Sequence, residues 1–255
     1  MSGFRKAVLL QSLNIVALAL TITVNALAST FALNGRTTAQ VSDLYPALVT
    51  PAGYVFSIWG IIYTLLLVFV IFQALPSQRE KPFLGKISVF FVLSSILNVS
   101  WLLLWHYDQI VLSVVLMFAL LATLITIYLR LNIGKVSVSW KEKVHVHLPF
   151  SVYLGWITVA SIANVAAALV SIHWNGFGLA SDIWSVLVIA VALLITLAVI
   201  ATRKDVAYGL VLIWALVGIA VKQGAYANIA VAAETSAIVI AIALVTVILF
   251  YRLKR

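Results

Sequence analysis

The amino-acid sequence predicts an all-α integral membrane protein with eight transmembrane helices. Of its 255 residues, 64% are hydrophobic and only 9% are charged, and the mean hydropathy is +1.17. A soluble domain of this length could not bury so much apolar surface. A helix needs about 20 apolar residues to cross a hydrocarbon core of roughly 30 Å. Such stretches occur at 7–31, 53–75, 87–107, 110–131, 148–172, 183–202, 206–223 and 228–250.

The distribution of basic residues supports an even number of spans. Cytoplasmic loops of membrane proteins carry an excess of Lys and Arg. Fourteen of the sixteen basic residues fall before the first span, after the last, or in alternate loops: Arg5, Lys6, Arg79, Lys81, Lys86, Arg130, Lys135, Lys141, Lys143, Arg203, Lys204, Arg252, Lys254 and Arg255. Both termini are therefore expected in the cytoplasm, in a membrane that we take to be the prokaryotic cytoplasmic membrane. The basic residues behind the net charge of +9 are therefore expected mostly at the cytoplasmic face of the membrane, and this distribution argues against nucleic-acid binding.

The first and last spans each have a distinguishing feature. Arg5 and Lys6 followed by an apolar run resemble a signal peptide, but the run is longer than such peptides have. In the last span, Ala233, Ala237 and Ala241 recur every fourth residue, a pattern that lets membrane helices pack closely. We expect both segments to be helices of the bundle.

The longest irregular stretch, 32–52, lies between the first two spans and ends at Pro51-Ala52. Proline is tolerated in the first turn of a helix, so Pro51 is compatible with the start of the second span. A loop of this length in a compact bundle is often a lid or a binding loop. A simple tether is an equally good interpretation, and the sequence leaves both open.

Three spans carry large aromatic and polar side chains along one face. These are Phe56, Trp59 and Tyr63 in the second span, Asn98, Trp101 and Trp105 in the third, and Tyr153, Trp156, Ala160 and Asn164 in the fifth. Steps of three and four residues align side chains on a helix. Lipid offers no hydrogen-bond partner to an asparagine or an indole N–H. The stripes therefore predict a shared aromatic pocket. The alternative is that the tryptophans only fill the interior of the bundle and the asparagines form hydrogen bonds between helices.

The same residues carry a resemblance to a known family. Residues 50–63 resemble the loop-to-second-helix motif of the TspO/MBR family, the tryptophan-rich sensory proteins and the mitochondrial translocator protein. Residues 97–101 resemble its Leu-Asn-x-x-Trp motif on helix three. Residues 153–164 resemble its Tyr-Leu-Ala-Trp…Asn segment on helix five, with the same spacing from Trp to Asn. The chain departs from the family pattern at Ala52 and Tyr54, where the family has proline and tryptophan.

The resemblance implies a domain organisation and a ligand. Residues 1–172 would form the TspO-like five-helix bundle, and 173–255 would add three helices packed on it in a single membrane domain. Family members bind porphyrins, and in mitochondria sterols and synthetic ligands, within the bundle. By resemblance, the ligand-binding residues would be Trp59, Tyr63, Asn98, Trp101, Trp156 and Asn164, with porphyrin or haem as the ligand. Membrane lipid and a small hydrophobic ligand are the expected partners, and a homodimer is left open.

Two ionisable residues lie within the last two predicted spans. Lys222 and Glu234 are costly at such depth and are expected to pair with each other. Snorkelling of Lys222 to the surface is an alternative. A third interpretation is a secondary transporter that uses both residues in substrate recognition or coupling.

Chemical motifs are scarce elsewhere in the chain. The sequence has no Gly-rich phosphate loop, nucleophile elbow or paired-carboxylate site, and no catalytic residue or metal site is predicted. His106 is expected to anchor the third span at the interface, and His145 and His147 to lie in a solvated loop. A ligand-binding receptor, sensor or carrier is therefore favoured over an enzyme. A tetrapyrrole-degrading membrane enzyme and a structural scaffold are the remaining alternatives.

Overall fold

The computed structural model describes residues 3–30 and 33–253, which form eight long helices joined by short connections. Every predicted span is confirmed as a helix, with ends within about five residues of the expected ones. The helices are α1 (Gly3–Thr30), α2 (Ile58–Ala74), α3 (Phe90–His106), α4 (Ile110–Leu131), α5 (Leu148–Ser171), α6 (Ser181–Arg203), α7 (Val206–Lys222) and α8 (Ala227–Leu253). Lys254 and Arg255, which belong to the predicted basic C-terminus, lie outside the described residues.

Six helical segments are long and apolar enough to cross a membrane: Phe4–Ser29, Gly53–Ala74, Ile110–Leu131, Trp140–Ser171, Ser181–Arg203 and Ala227–Phe250. The two others, α3 and α7, are apolar helices of 17 residues. At 1.5 Å per residue they extend about 25 Å, the lower end of the length of a transmembrane helix. The predicted class, an all-α multi-pass membrane protein, is confirmed.

Five helices close into a ring in the order α1, α2, α5, α4, α3, and α3 packs again on α1. The last three helices pack on one another, and α7 connects them to the ring by packing along α5. Gly155 on α5 permits this contact, because a Cβ there would lie 3.1 Å from the Val211 Cβ on α7. Small residues allow this close approach between membrane helices. The small residues Ala233 and Ala237 of α8 are likewise buried.

We call residues 33–57, which connect α1 to α2, the outer segment, and the end of the bundle where they lie the outer end. The segment contains a short helix, Thr38–Asp43, and a 3-10 turn, Gly53–Ser57. The short helix begins with a capping box: the Thr37 side chain accepts from the Gln40 backbone, and the Gln40 side chain accepts from the Thr37 backbone. Such reciprocal bonds fix the start of a helix. The outer segment is therefore folded rather than an extended tether.

The turn between α6 and α7 carries a buried carboxylate. Asp205 accepts hydrogen bonds from the Tyr128 hydroxyl (2.9 Å), the Ser151 hydroxyl (2.6 Å) and the backbone N–H of Tyr208 (3.2 Å). Tyr128 belongs to α4 and Ser151 to α5, so one residue of the last three helices is held by two helices of the ring. Hydrogen bonds to a charged group are stronger than those between neutral groups. Asp205 thus fastens the two groups of helices together at the inner end of α7.

Candidate ligand-binding site

Trp59 on α2 is the centre of an aromatic cluster that joins three helices. Its ring stacks on Tyr63 with centroids 5.6 Å apart. It also contacts Trp101 on α3 at 6.1 Å, and Tyr153 and Trp156 on α5 at 6.2 and 6.1 Å. Aromatic pairs at these separations attract each other beyond the burial of their surfaces. The three stripes identified in the sequence therefore meet inside the ring of helices.

Asn164 holds three helices in register beside this cluster. Its side-chain oxygen accepts from the Trp101 indole N–H (2.8 Å), and its amide nitrogen donates to the Ser113 hydroxyl (2.9 Å). All three side chains are buried. Because their polar atoms satisfy one another, this group orients the Trp101 ring. Ser113 on α4 was not singled out in the sequence.

Asn98 has a partner that the sequence did not suggest. The side chain of Asn25 on α1 donates to the Asn98 side-chain oxygen at 2.9 Å. Asn98 is fully buried, and its carboxamide lies near the hydroxyls of Tyr63 and Tyr153. The helix α1 carries two asparagines, Asn14 and Asn25, and an asparagine within a predicted span is a signal that could have identified Asn25.

Three buried polar atoms of the cluster have no hydrogen-bond partner among the described residues. They are the Tyr63 hydroxyl, the Asn98 amide nitrogen and the Trp156 indole nitrogen. Leaving a buried donor unpaired costs about 1–3 kcal/mol. A water molecule or an acceptor group of a ligand would remove this cost. All three atoms can donate a hydrogen bond, so the matching ligand carries acceptors.

A narrow cleft adjoins the cluster on its outer side, and its volume of about 20 Å³ has room for about one water molecule. Four of the six predicted ligand-binding residues line it, namely Trp59, Trp101, Trp156 and Asn164. Tyr63 and Asn98 lie behind this lining. None of the described lining residues is charged: they are Thr38, Ser42, Pro51, Phe56, Trp59, Trp101, Trp105, Trp156, Val159, Ala160, Ala163 and Asn164. The outer segment, α2, α3 and α5 thus each contribute a wall.

The space between the rings themselves is closed. The centroids of Trp59 and its neighbours lie 5.6–6.2 Å apart, so no flat molecule fits between them. A ligand would meet the face of the cluster that borders the cleft. Deeper stacking would require the rings or the outer segment to move.

The outer segment is anchored to the turn between α3 and α4. Arg36 donates two hydrogen bonds to Asp108, at 3.1 and 2.5 Å, and the Tyr45 hydroxyl donates a third at 3.4 Å. The Trp105 indole N–H donates to the Thr38 carbonyl at 3.2 Å. The Arg36 guanidinium lowers the pKa of Asp108, whereas partial burial raises the pKa of Tyr45. A charged pair and a cleft-lining tryptophan therefore both hold this segment.

Acid should loosen this anchor. Because the pKa of Asp108 is lowered in the folded protein, the contribution of the pair is complete above the ordinary aspartate pKa of 3.8 and is lost as the pH falls through the lower, folded value. A nitroxide attached to Leu44→Cys should become more mobile below about pH 4. With Asp108→Asn added, the label should be mobile at every pH. If the mobility of the label changed neither with pH nor with the substitution, the Arg36–Asp108 pair would not anchor the outer segment.

Three expectations about ionisable residues are wrong. His145 and His147 do not lie in a solvated loop but in a short π-helix, Lys143–His147, that leads into α5, and His147 is buried. His106, at the end of α3, does not face the surroundings of the bundle but is fully buried, and its Nδ1 bonds the Leu102 carbonyl at 2.8 Å.

Lys222 does not pair with Glu234: its Nζ lies 2.5 Å from the Asp43 carboxylate, and Glu234 is exposed on the outside of α8. Lys222 ends α7 and faces the outer segment, so the nearest acid comes from a distant part of the chain.

Comparison with known proteins gives a family match. A family model described as TSPO-like protein matches residues 11–249. No curated protein and no solved structure matches the chain. The match continues past residue 172 and through most of α8. The division into a five-helix bundle and three added helices stays a prediction.

Proposed function

The chain belongs to the TSPO-like family, and from this premise we propose that it is a membrane receptor, sensor or carrier for a flat hydrophobic ligand bound at the aromatic cleft. Small-molecule sites are mostly apolar with a few convergent polar groups. The cleft has this character, because tryptophans and small apolar residues line it together with the polar side chains of Thr38, Ser42 and Asn164. In this proposal Trp59, Trp101 and Trp156 supply contact area, and Asn164 holds Trp101 in place.

The observation that carries the proposal is the set of unpaired buried donors behind the aromatic wall. Structural residues normally satisfy one another, as Trp101, Asn164 and Ser113 do. The indole N–H of Trp156 and the amide of Asn98 remain unpaired beside them. Of the two residues, Trp156 lines the cleft, and its unpaired N–H suits a ligand with an apolar body and hydrogen-bond acceptors.

We favour a porphyrin or another tetrapyrrole, including haem, as the ligand. Such a molecule is flat, largely apolar and bears acceptor atoms. The described lining residues carry no charge. A carboxylate buried there would lack a counter-charge, which is strongly unfavourable. The propionate groups of a porphyrin should therefore remain at the outer mouth, with the ring system turned inward.

The test is a titration of the detergent-purified protein with protoporphyrin IX, its dimethyl ester and haemin. Quenching of tryptophan fluorescence and the shift of the porphyrin absorption band should both saturate at one ligand per chain. The uncharged ester should bind at least as tightly as the acid, because no described lining residue is positively charged and could pair with the propionates. Trp101→Leu and Asn164→Ala should each weaken binding about tenfold, which corresponds to about 1.4 kcal/mol.

Other outcomes would favour other functions. Absence of saturable binding by folded protein would refute the porphyrin proposal. Time-dependent loss of the bound porphyrin that requires Trp101 or Trp156 would favour the degrading enzyme. A transporter that uses Lys222 and Glu234 would show loss of flux when either residue is neutralised, with the fold and the ligand affinity intact. Homodimerisation stays a prediction.

A further inference from the structure

One face of α7 holds the outer segment at three points. The Trp214 indole N–H donates to the Val55 carbonyl (3.1 Å), and the backbone N–H of Ala52 donates to the Gly218 carbonyl (3.0 Å). The third point is the ion pair between Lys222 and Asp43 described above. Trp214, Gly218 and Lys222 follow one another at four-residue steps, which places them on one face of the helix.

The middle contact depends on a glycine. A Cβ built on Gly218 would lie 2.1 Å from a methyl group of Val55 and 3.4 Å from the Cβ of Pro51. A side chain at 218 would therefore force Val55, or the segment that carries it, to shift. Tyr54 adds an edge-to-face contact with Trp214, with ring centroids 5.4 Å apart. We call these contacts of Trp214, Gly218 and Lys222 with the outer segment the clasp.

Each clasped residue is the chain neighbour of a residue that lines the cleft. Asp43 follows Ser42, Ala52 follows Pro51, and Val55 precedes Phe56; Ser42, Pro51 and Phe56 all line the cleft. A shift of α7 away from α5 would therefore displace all three points on this wall together. The exposed ion pair contributes little by itself, so the glycine contact and the tryptophan hydrogen bond carry most of the clasp.

We propose that α7 controls access to the aromatic cleft by clasping the outer segment. The last three helices then set how readily the cleft opens, rather than covering it. The ligand whose access is controlled rests on the proposed function, but the clasp is tested without any ligand. When α7 moves away from the outer segment, this segment is free to move. The cleft then admits a flat molecule that does not fit between the rings of the aromatic cluster in the closed structure.

A reversible lock tests the clasp directly. The chain has no cysteine, so Val55→Cys combined with Gly218→Cys gives one pair of thiols. A Cβ at 218 would lie 3.4 Å from the Val55 Cβ, close to the roughly 3.5–4.5 Å of natural disulfides. Oxidation should slow hydrogen exchange of the amides of residues 52–57 at least tenfold and slow the association of protoporphyrin IX similarly. Reduction should restore both rates.

A second variant opens the clasp instead. Gly218→Ala should speed exchange of the Ala52 amide and porphyrin association, each by about tenfold, a change that corresponds to about 1.4 kcal/mol. Val217→Ala, on the adjacent exposed face of α7, is the matched control and should change neither rate. Unchanged amide exchange in both the locked and the opened variants would overturn the clasp. Normal exchange effects without any porphyrin binding would support the clasp and refute the proposed ligand.

Discussion

Replacement of Asp205 by alanine should lower the free energy of unfolding by about 3–5 kcal/mol, because it removes three hydrogen bonds to a buried carboxylate. The substitution leaves the hydroxyls of Tyr128 and Ser151 and the backbone N–H of Tyr208 without their acceptor. Each buried donor left unpaired costs about 1–3 kcal/mol. The two hydroxyls can rotate toward backbone carbonyls, which keeps the total below the sum of three full penalties.

Thermal unfolding in detergent measures this effect. For a chain of this size each kcal/mol shifts the Tm by about 2–4 °C, so Asp205→Ala should lower it by roughly 10 °C. Asp182→Ala is the matched control, because Asp182 also lies at the start of a helix and accepts a hydrogen bond, from Asn228 at 2.7 Å, but is only partly buried. It should change the Tm by no more than about 2 °C. Equal shifts for both variants would contradict the role of Asp205 in joining the helices.

The sequence could predict the helices because the signal for a membrane span is local. Length and apolar composition fix where each helix lies, and polar turns fix where it ends. Asp205 could not be found in this way, because it sits beside Arg203 and Lys204 in what looks like an ordinary polar turn. Its burial depends on Tyr128 and Ser151, 77 and 54 residues away. The wrong partner for Lys222 has the same cause, since Asp43 is 179 residues distant in the chain.

The sequence could predict which helix faces form the candidate site, but not which polar atoms on these faces pair with each other. Three- and four-residue steps show that Trp59, Trp101 and Trp156 point inward on their helices. The steps cannot show which indole N–H finds a partner, because this depends on how α3 and α5 are rotated against each other. Trp101 bonds Asn164, whereas Trp156 has no partner among the described residues. In sequence the two tryptophans look equivalent.

This difference between the two tryptophans gives the second large effect. Trp101→Phe removes a donor that Asn164 uses, so the empty protein should lose about 1–3 kcal/mol more than it does with Trp156→Phe. The loss of ring volume is the same in both variants, so it cancels in the comparison. Trp156→Phe removes an N–H that has no partner in the empty protein, which offsets part of its packing loss.

For ligand binding we expect a large effect of Trp156→Phe, the variant that affects stability less. If the Trp156 N–H donates to the ligand, Trp156→Phe should weaken protoporphyrin IX binding about tenfold while the Tm of the empty protein stays near that of the wild type. Trp101→Phe should lower the Tm by several degrees. A Trp156→Phe variant that is destabilised as much as Trp101→Phe and binds normally would show that the unpaired N–H is not a ligand group. An unpaired buried donor can be satisfied by a water molecule or by a ligand, and the two Tm values and the two dissociation constants together separate a binding group from a packing group.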